Sequence, residues 1–233
     1  MKIAIMQPYF LPYVGYFQLI NKVDRFVVYD NIQYTKRGWI NRNKYLLNNK
    51  SKYVSIPVEK FSHKEKIIKI KISKIYQKEK ILRQFCNAYK KAPYFEERYE
   101  LLAKIIMFPS QNLFEYIYFS ISSICEYLNI KTKVFISSNI DHDPALRSED
   151  KVIDICKQLN GTIYINPEGG VKIYKKNNFK KYKLILKFLH TTGFKYQQFD
   201  EKIFIPNLSI IDVLMFNSKK EIKRIIVDNF VLK

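Results

Sequence analysis

Glycine and proline are scarce in this chain, 6 and 8 among 233 residues. That excludes a collagen-like repeat and leaves no low-complexity linker at which to divide the chain. Cysteine is scarcer still. Cys86, Cys125 and Cys156 lie far apart in apolar, helix-like contexts. No pair has metal-ligand spacing and three thiols cannot all pair, so they read as reduced core residues of a cytoplasmic protein. There are only three histidines. Asp141-His142-Asp143 has no second His at useful spacing, and His63 and His190 read as isolated, so no metal site is expected. No apolar run approaches the roughly 20 residues needed to cross a bilayer. The opening MKIAIMQPYF is too short and too aromatic for a secretory leader.

Acidic residues are few, 21 against 41 basic, which leaves a net charge of +20. Lys, Ile, Asn and Tyr are all abundant, as an A/T-rich coding bias would produce. The alternative is a basic face that attracts phosphorylated substrates or an anionic membrane surface, so transient membrane contact stays open. No RRM, KH or helix-turn-helix pattern appears, and no nucleic-acid partner is expected. Lys64, Lys66, Lys69 and Lys71 alternate with Ile and read as the solvated face of a strand. Ser137-Ser138 lacks the flanking glycines of a nucleophile elbow.

What is abundant is aromatic and apolar character, with 18 Tyr, 17 Phe and 47% hydrophobic residues. KIAIM (2–6) reads as a buried strand that breaks at Gln7-Pro8 into an aromatic loop. Residues 16–23 have helical character, and RFVVYD follows as a second strand. Strand, loop, helix and strand within about thirty residues make a parallel βαβ unit. Further strands are expected at 53–58, 64–73, 133–137, 162–166 and 183–189. Three helices are expected between Gln77 and Tyr127, broken at Pro93 and Pro109. Others are expected from Ser148 to Asn160-Gly161, over 208–217 and over 219–230. The alternation predicts one α/β domain over 1–233, Rossmann-like with a mainly parallel sheet and a helical insertion at about 77–130.

In such sheets ligands sit at the carboxyl ends of the strands. Three groups of residues fall there. Gln7, Tyr9, Gly15 and Tyr16 follow the first strand; they would line a nucleotide or sugar site, or else form an aromatic cluster under a loop. Asp30, Gln33, Lys36, Arg37, Trp39, Asn41 and Arg42 follow the second. Paired Arg suits phosphate or carboxylate, Trp suits stacking on a base or a pyranose, and Asp30 is a general-base candidate, or else a helix cap or a salt-bridge partner of Arg37. Asn166, Glu168, Gly169, Gly170 and Tyr174 follow a later strand. The adjacent glycines allow close backbone approach and offer N–H groups to an anion, or simply make a turn.

MQPYFLPYVGYFQLI, DRFVVYDNIQYTKRGWINRN, YINPEGG with Tyr174, YQQF and FIPNLSIIDVLMFN together resemble the WbqC-like protein family across essentially the whole chain. The resemblance implies a role in bacterial surface-polysaccharide (O-antigen or capsule) assembly. It points to a sugar-modifying transferase, with acyl or aminoacyl transfer to a nucleotide-linked amino sugar as the preferred reaction and Asp30 or Glu168 as base. Partners would be that sugar and an acyl or aminoacyl donor; the cofactor is open, with ATP or an acyl-CoA as candidates, and so is the oligomeric state. A fainter likeness joins Pro8-x-x-x-Pro12-x-x-Gly15-Tyr16 to the HIGH-type signature of nucleotidyltransferases, whose His holds ATP phosphates. Tyr16 stands at that His and no KMSKS-like motif follows. The alternatives are an ATP-dependent ligase of the same pathway and a non-catalytic nucleotide-sugar-binding partner of a glycosyltransferase.

Overall fold

The computed structural model describes residues 1–200, 202 and 204–233. β1 (Lys2–Met6), α1 (Val14–Lys22) and β2 (Arg25–Val28) form the expected βαβ unit, with Ile3–Met6 in parallel register against Arg25–Val28. β3 (Arg42–Leu47) and β4 (Lys50–Ser55) form an antiparallel hairpin outside the main sheet. Three helices follow, α2 (Lys78–Tyr89), α3 (Phe95–Ile106) and α4 (Leu113–Tyr127), and then β5 (Lys133–Ile136). α5 (Ser148–Gln158), β6 (Ile163–Pro167), α6 (Lys176–Lys181) and β7 (Ile185–Thr191) continue the alternation. α7 (Ile210–Phe216), α8 (Lys219–Asp228) and β8 (Phe230–Leu232) complete it.

The six-stranded sheet runs β5-β2-β1-β6-β7-β8, parallel throughout except for β8. It is a mainly parallel, helix-flanked, Rossmann-like α/β sheet. Its strands are apolar on both faces, as parallel strands covered on both sides must be. Ala4, Phe26, Val28, Ile165 and Leu189 face one cluster, which continues through α1 into α2–α4, α7 and α8. Ile3, Ile5, Val27, Tyr164 and Phe188 face a smaller cluster under α5 and α6. Serine and asparagine caps start several helices. Asn112 accepts from the Glu115 N–H at 3.1 Å, and Ser218 from the Glu221 N–H at 3.1 Å, each three residues on. No helix among the described residues is long and apolar enough to cross a membrane.

Several expectations need correction. Residues 64–73 are not a strand. They hold a 3₁₀ turn, Ile67–Lys69, and form isolated bridges such as Val58 to Ile72 in place of a continuous ladder. Ile67 and Ile70 are both buried, a three-residue step that overrides the Lys–Ile alternation. The expected strand 53–58 lies earlier, as β4. Its partner β3 occupies what read as loop, and the two join through Asn48 and Asn49 at φ 50° and 56°. Two left-handed residues in sequence make the I′-type connection that matches strand twist. α6 and β8 were not anticipated. β8 is three residues long and pairs only at the sheet edge, too short for its alternation to show. All three cysteines are free, and burial pushes the Cys125 thiol up to about 12.

Candidate functional site

The chain leaves β1 toward β2 and β5 on one side, then returns to place β6 on the other. The connections after β1 and after β6 therefore diverge at one point, where open α/β sheets form their ligand crevice. A cleft of 420 Å³ opens there, lined by Gln7, Tyr9, Tyr13, Gly15, Tyr16, Tyr29, Asn166, Gly169, Gly170 and Tyr174 among others. A second lobe of 450 Å³ shares Tyr9 and Tyr13 with it. Its walls are Trp39, Phe194, Tyr196, Phe204, Pro206 and Leu208, with Glu168, Thr191 and Asn207 as polar points. The first lobe mixes amides with phenols; the second is mostly aromatic and aliphatic.

The β1 loop is held in an uncommon shape. Leu11 has φ 44°, a region branched side chains avoid. Asn43 on β3 fixes it by donating to the Phe10 and Leu11 carbonyls at 3.0 and 2.8 Å, and the Ser209 hydroxyl donates to the Leu11 carbonyl at 2.8 Å. The Tyr13 ring then folds across the first turn of α1. A Cβ on Gly15 would lie 2.2 Å from the Tyr13 oxygen, so glycine is what lets the ring lie there. Gly170 is needed for a similar reason, because a Cβ would meet Asn166 Oδ1 at 2.2 Å. Neither Gly169 nor Gly170 adopts positive φ; they belong to the 3₁₀ turn Glu168–Gly170. Asn166 donates to the Tyr164 hydroxyl at 2.6 Å, which orients its amide at the cleft wall.

Glu168 Oε2 lies 2.8 Å from Nδ1 of His190, at the carboxyl end of β7. A carboxylate on Nδ1 holds the imidazole so that Nε2 is the free acid–base atom. Nearby, Gln18 is fully buried inside α1. It donates to the carbonyls of Ile225 and Asn229, both at 2.9 Å, and accepts from Thr191 at 2.8 Å, locking α1, the end of α8 and β7 together.

A family model described as the WbqC-like protein family matches residues 7–224. The chain belongs to that family. A relative from Mycobacterium tuberculosis, the uncharacterized protein Rv1507c, is 29% identical over 221 residues, which span 93% of each chain. No solved structure matches the chain.

In this WbqC-like chain, the first and third groups of candidate residues meet in the crevice, and most of the second does not. Tyr16 is buried and its hydroxyl donates to the Gln7 carbonyl at 2.9 Å, which uses the proton a phosphate would need. Burial, with Tyr9 beside it, holds the Tyr16 phenol well above its usual range. Asp30 is fully buried and lines neither lobe. Its Oδ1 accepts from the Ser137 hydroxyl at 2.6 Å and the Ser138 N–H at 2.9 Å, tying the ends of β2 and β5; its Oδ2 has no hydrogen-bond partner among the described residues. Lys36, Arg37, Asn41 and Arg42 line a separate open depression of 620 Å³ beside the hairpin. Much of that loop is occupied with itself. Arg42 donates to the Arg37 and Gly38 carbonyls, Asn41 to the Ile56 carbonyl at 2.8 Å, and Gln33 to the His63 carbonyl at 2.5 Å. Trp39 alone of this group reaches the crevice, at its aromatic lobe.

Sequence reasoning does not reach His190, Tyr29 or the aromatic strap 194–200, which with residues 204–208 walls the second lobe. His190 reads as isolated in the sequence; its partner Glu168 is 22 residues away, across adjacent strands. The strap carries YQQF, whose Tyr196 and Gln198 both donate to Asp212 in α7, at 2.6 and 2.7 Å.

Proposed function

We propose that this chain is a transferase of bacterial surface-glycan assembly that moves an acyl or aminoacyl group onto the amine of a nucleotide-linked sugar. The observation that carries the reading is the Glu168–His190 pair, in which Glu168 lines the aromatic lobe and stands in the same strand-end turn as Asn166, Gly169 and Gly170 of the other. The amide- and phenol-lined lobe suits a pyranose, with Gln7 and Asn166 for its hydroxyls and Tyr9 for its apolar face. The aromatic and aliphatic lobe suits the acyl donor. His190 Nε2 would take a proton from the sugar amine as its nitrogen attacks the donor carbonyl. The same proton would pass to the leaving thiolate or phosphate as the acyl bond to it breaks. Glu168 holds the ring and steadies its charge. Asp30, buried away from both lobes, does not serve as the base in this scheme, and the Tyr16 contact gives the adenylation alternative no added support.

The test is a thermal-shift screen with dTDP-, UDP- and GDP-linked amino sugars, CoA esters and ATP, followed by turnover assays. A ligand at 100 times its Kd stabilises the fold by about 2.7 kcal/mol, a shift of a few degrees. His190→Gln should retain that shift and lose on the order of 10²–10⁴ in turnover. Full activity in both His190→Gln and Glu168→Gln would remove the pair from the chemistry. Binding with no turnover for any donor would favour the non-catalytic partner, and no shift with any nucleotide sugar would end the substrate assignment.

A further inference from the structure

Neither lobe of the crevice is lined by a lysine or an arginine. Among the described residues, Glu168 is the one charged side chain on either wall. In a chain of net charge +20, the depression beside the hairpin is the opposite case. Four cations line it, Lys36, Arg37, Arg42 and Lys60, against one acid, Glu59. No ion pair among the described residues involves any of the five.

The cations are set in place by other means. Arg42 is half-buried and donates to the Gly38 carbonyl at 3.1 Å and to the Arg37 carbonyl. Its guanidinium carbon lies 5.0 Å from the centroid of the exposed Tyr53 ring. Lys36 Nζ lies 5.1 Å from the centroid of Phe61, also on the wall. Arg37 and Lys60 are exposed. Arg37 has φ 62°, the left-handed region that favours glycine, so the chain carries a guanidinium where glycine would cost less.

The depression adjoins the aromatic lobe across one side chain. Trp39 and Asn43 line the lobe, and Arg42 lines the depression. The Arg42 guanidinium carbon is 5.9 Å from the Trp39 ring centroid. Cations gathered in a concavity, with too few carboxylates to neutralise them, focus a positive potential that concentrates anions. Guanidinium groups hold phosphate oxygens through paired, charge-assisted hydrogen bonds.

We propose that this depression binds the phosphates of the acyl donor's carrier, a phosphorylated group of the coenzyme A class, whose acyl arm enters the aromatic lobe past Trp39. This deepens the transferase reading and rests on it for the acyl group. The phosphate site itself rests on the four cations. It also separates the two kinds of recognition, with the crevice holding uncharged groups and the depression holding the charge.

The chain has one tryptophan, and it stands where the two cavities adjoin, so its fluorescence reports occupancy. The experiment is titration of inorganic pyrophosphate and of coenzyme A into the full chain at fixed ionic strength, read by Trp39 fluorescence and by calorimetry. Wild type should bind both. Arg37→Gly should weaken both by about tenfold, and Arg37→Gly combined with Lys60→Ala by about a hundredfold. Glycine suits the backbone at position 37, so a loss there is not a loss of folding. Lys223→Ala removes an exposed cation of α8 and should bind as wild type does. No binding of either probe by wild type at millimolar concentration, or undiminished binding in the double variant, would overturn the site. An equal loss in Lys223→Ala would reduce the effect to net charge and overturn it as well. Binding to phosphatidylglycerol vesicles but to neither probe would replace it with a membrane-facing patch. Probe binding lost in the variants, with no acyl transfer from any coenzyme A ester, would keep the phosphate site and remove the transferase reading. Acyl transfer from such an ester with an unchanged donor KM in the double variant would do the reverse.

Discussion

Replacing Tyr196 by Phe removes one oxygen from the wall of the aromatic lobe and should measurably loosen it. Asp212 is fully buried in α7, and no cation pairs with it among the described residues. It is satisfied by Tyr196 at 2.6 Å, Gln198 at 2.7 Å and Tyr89 at 3.0 Å. Two of those donors come from the strap that covers the lobe. A hydrogen bond to a charged group contributes about 1.5–3 kcal/mol, so Tyr196→Phe should destabilise the fold by that amount while keeping the ring against Phe204 at 5.1 Å. Asp212→Ala leaves three buried donors unpaired and should cost more, about 3–5 kcal/mol. Burial, against the three hydrogen bonds, raises the Asp212 pKa in the folded state. The native chain then holds this proton more tightly than the unfolded chain. Stability from this group is fullest below the ordinary aspartate value of about 3.9 and is lost as pH rises through the raised folded value. Urea denaturation of wild type and both variants across that interval measures all three quantities. A Tyr196→Phe loss under 0.5 kcal/mol, or an Asp212→Ala profile with the same pH slope as wild type, would refute the argument.

Gly170→Ala should displace Asn166, since the new methyl would meet its Oδ1; nucleotide-sugar affinity should fall at least about tenfold with little change in melting temperature, as read by titration calorimetry. Asn49→Val places a branched side chain at φ 56° and should cost about 1–2 kcal/mol, whereas Asn49→Gly should be neutral or stabilising; thermal melts separate the two. Arg42→Ala should release the Arg37 and Gly38 carbonyls and raise protease cleavage in residues 36–41, as limited proteolysis reads.

The parallel sheet was legible because its strands are short apolar runs separated by amphipathic helices. Both patterns are local in sequence, and both came out within a few residues of the observed elements, from KIAIM through TIYIN. The hairpin was legible in principle, since Asn48-Asn49 between two alternating runs is a turn signal, but the cations of 36–44 drew the reading toward a loop. The polar residues after β1 and β6 were singled out because residues at strand ends have no packing reason to be amides and glycines. That they face each other depended on strand order, which no local pattern encodes.

The sequence alone determined most of the parallel strands and their flanking helices, and which stretches carry polar groups at strand ends. It did so because periodicity and turn chemistry act over a handful of neighbours. Only the tertiary structure decided which of those groups share a crevice. It joined His190 to Glu168 across two strands and turned Arg42 onto its own loop. It buried Asp30 between β2 and β5. The meeting of the β1 and β6 strand-end groups follows from the strand order, in which the chain crosses from β5 back to place β6 beside β1.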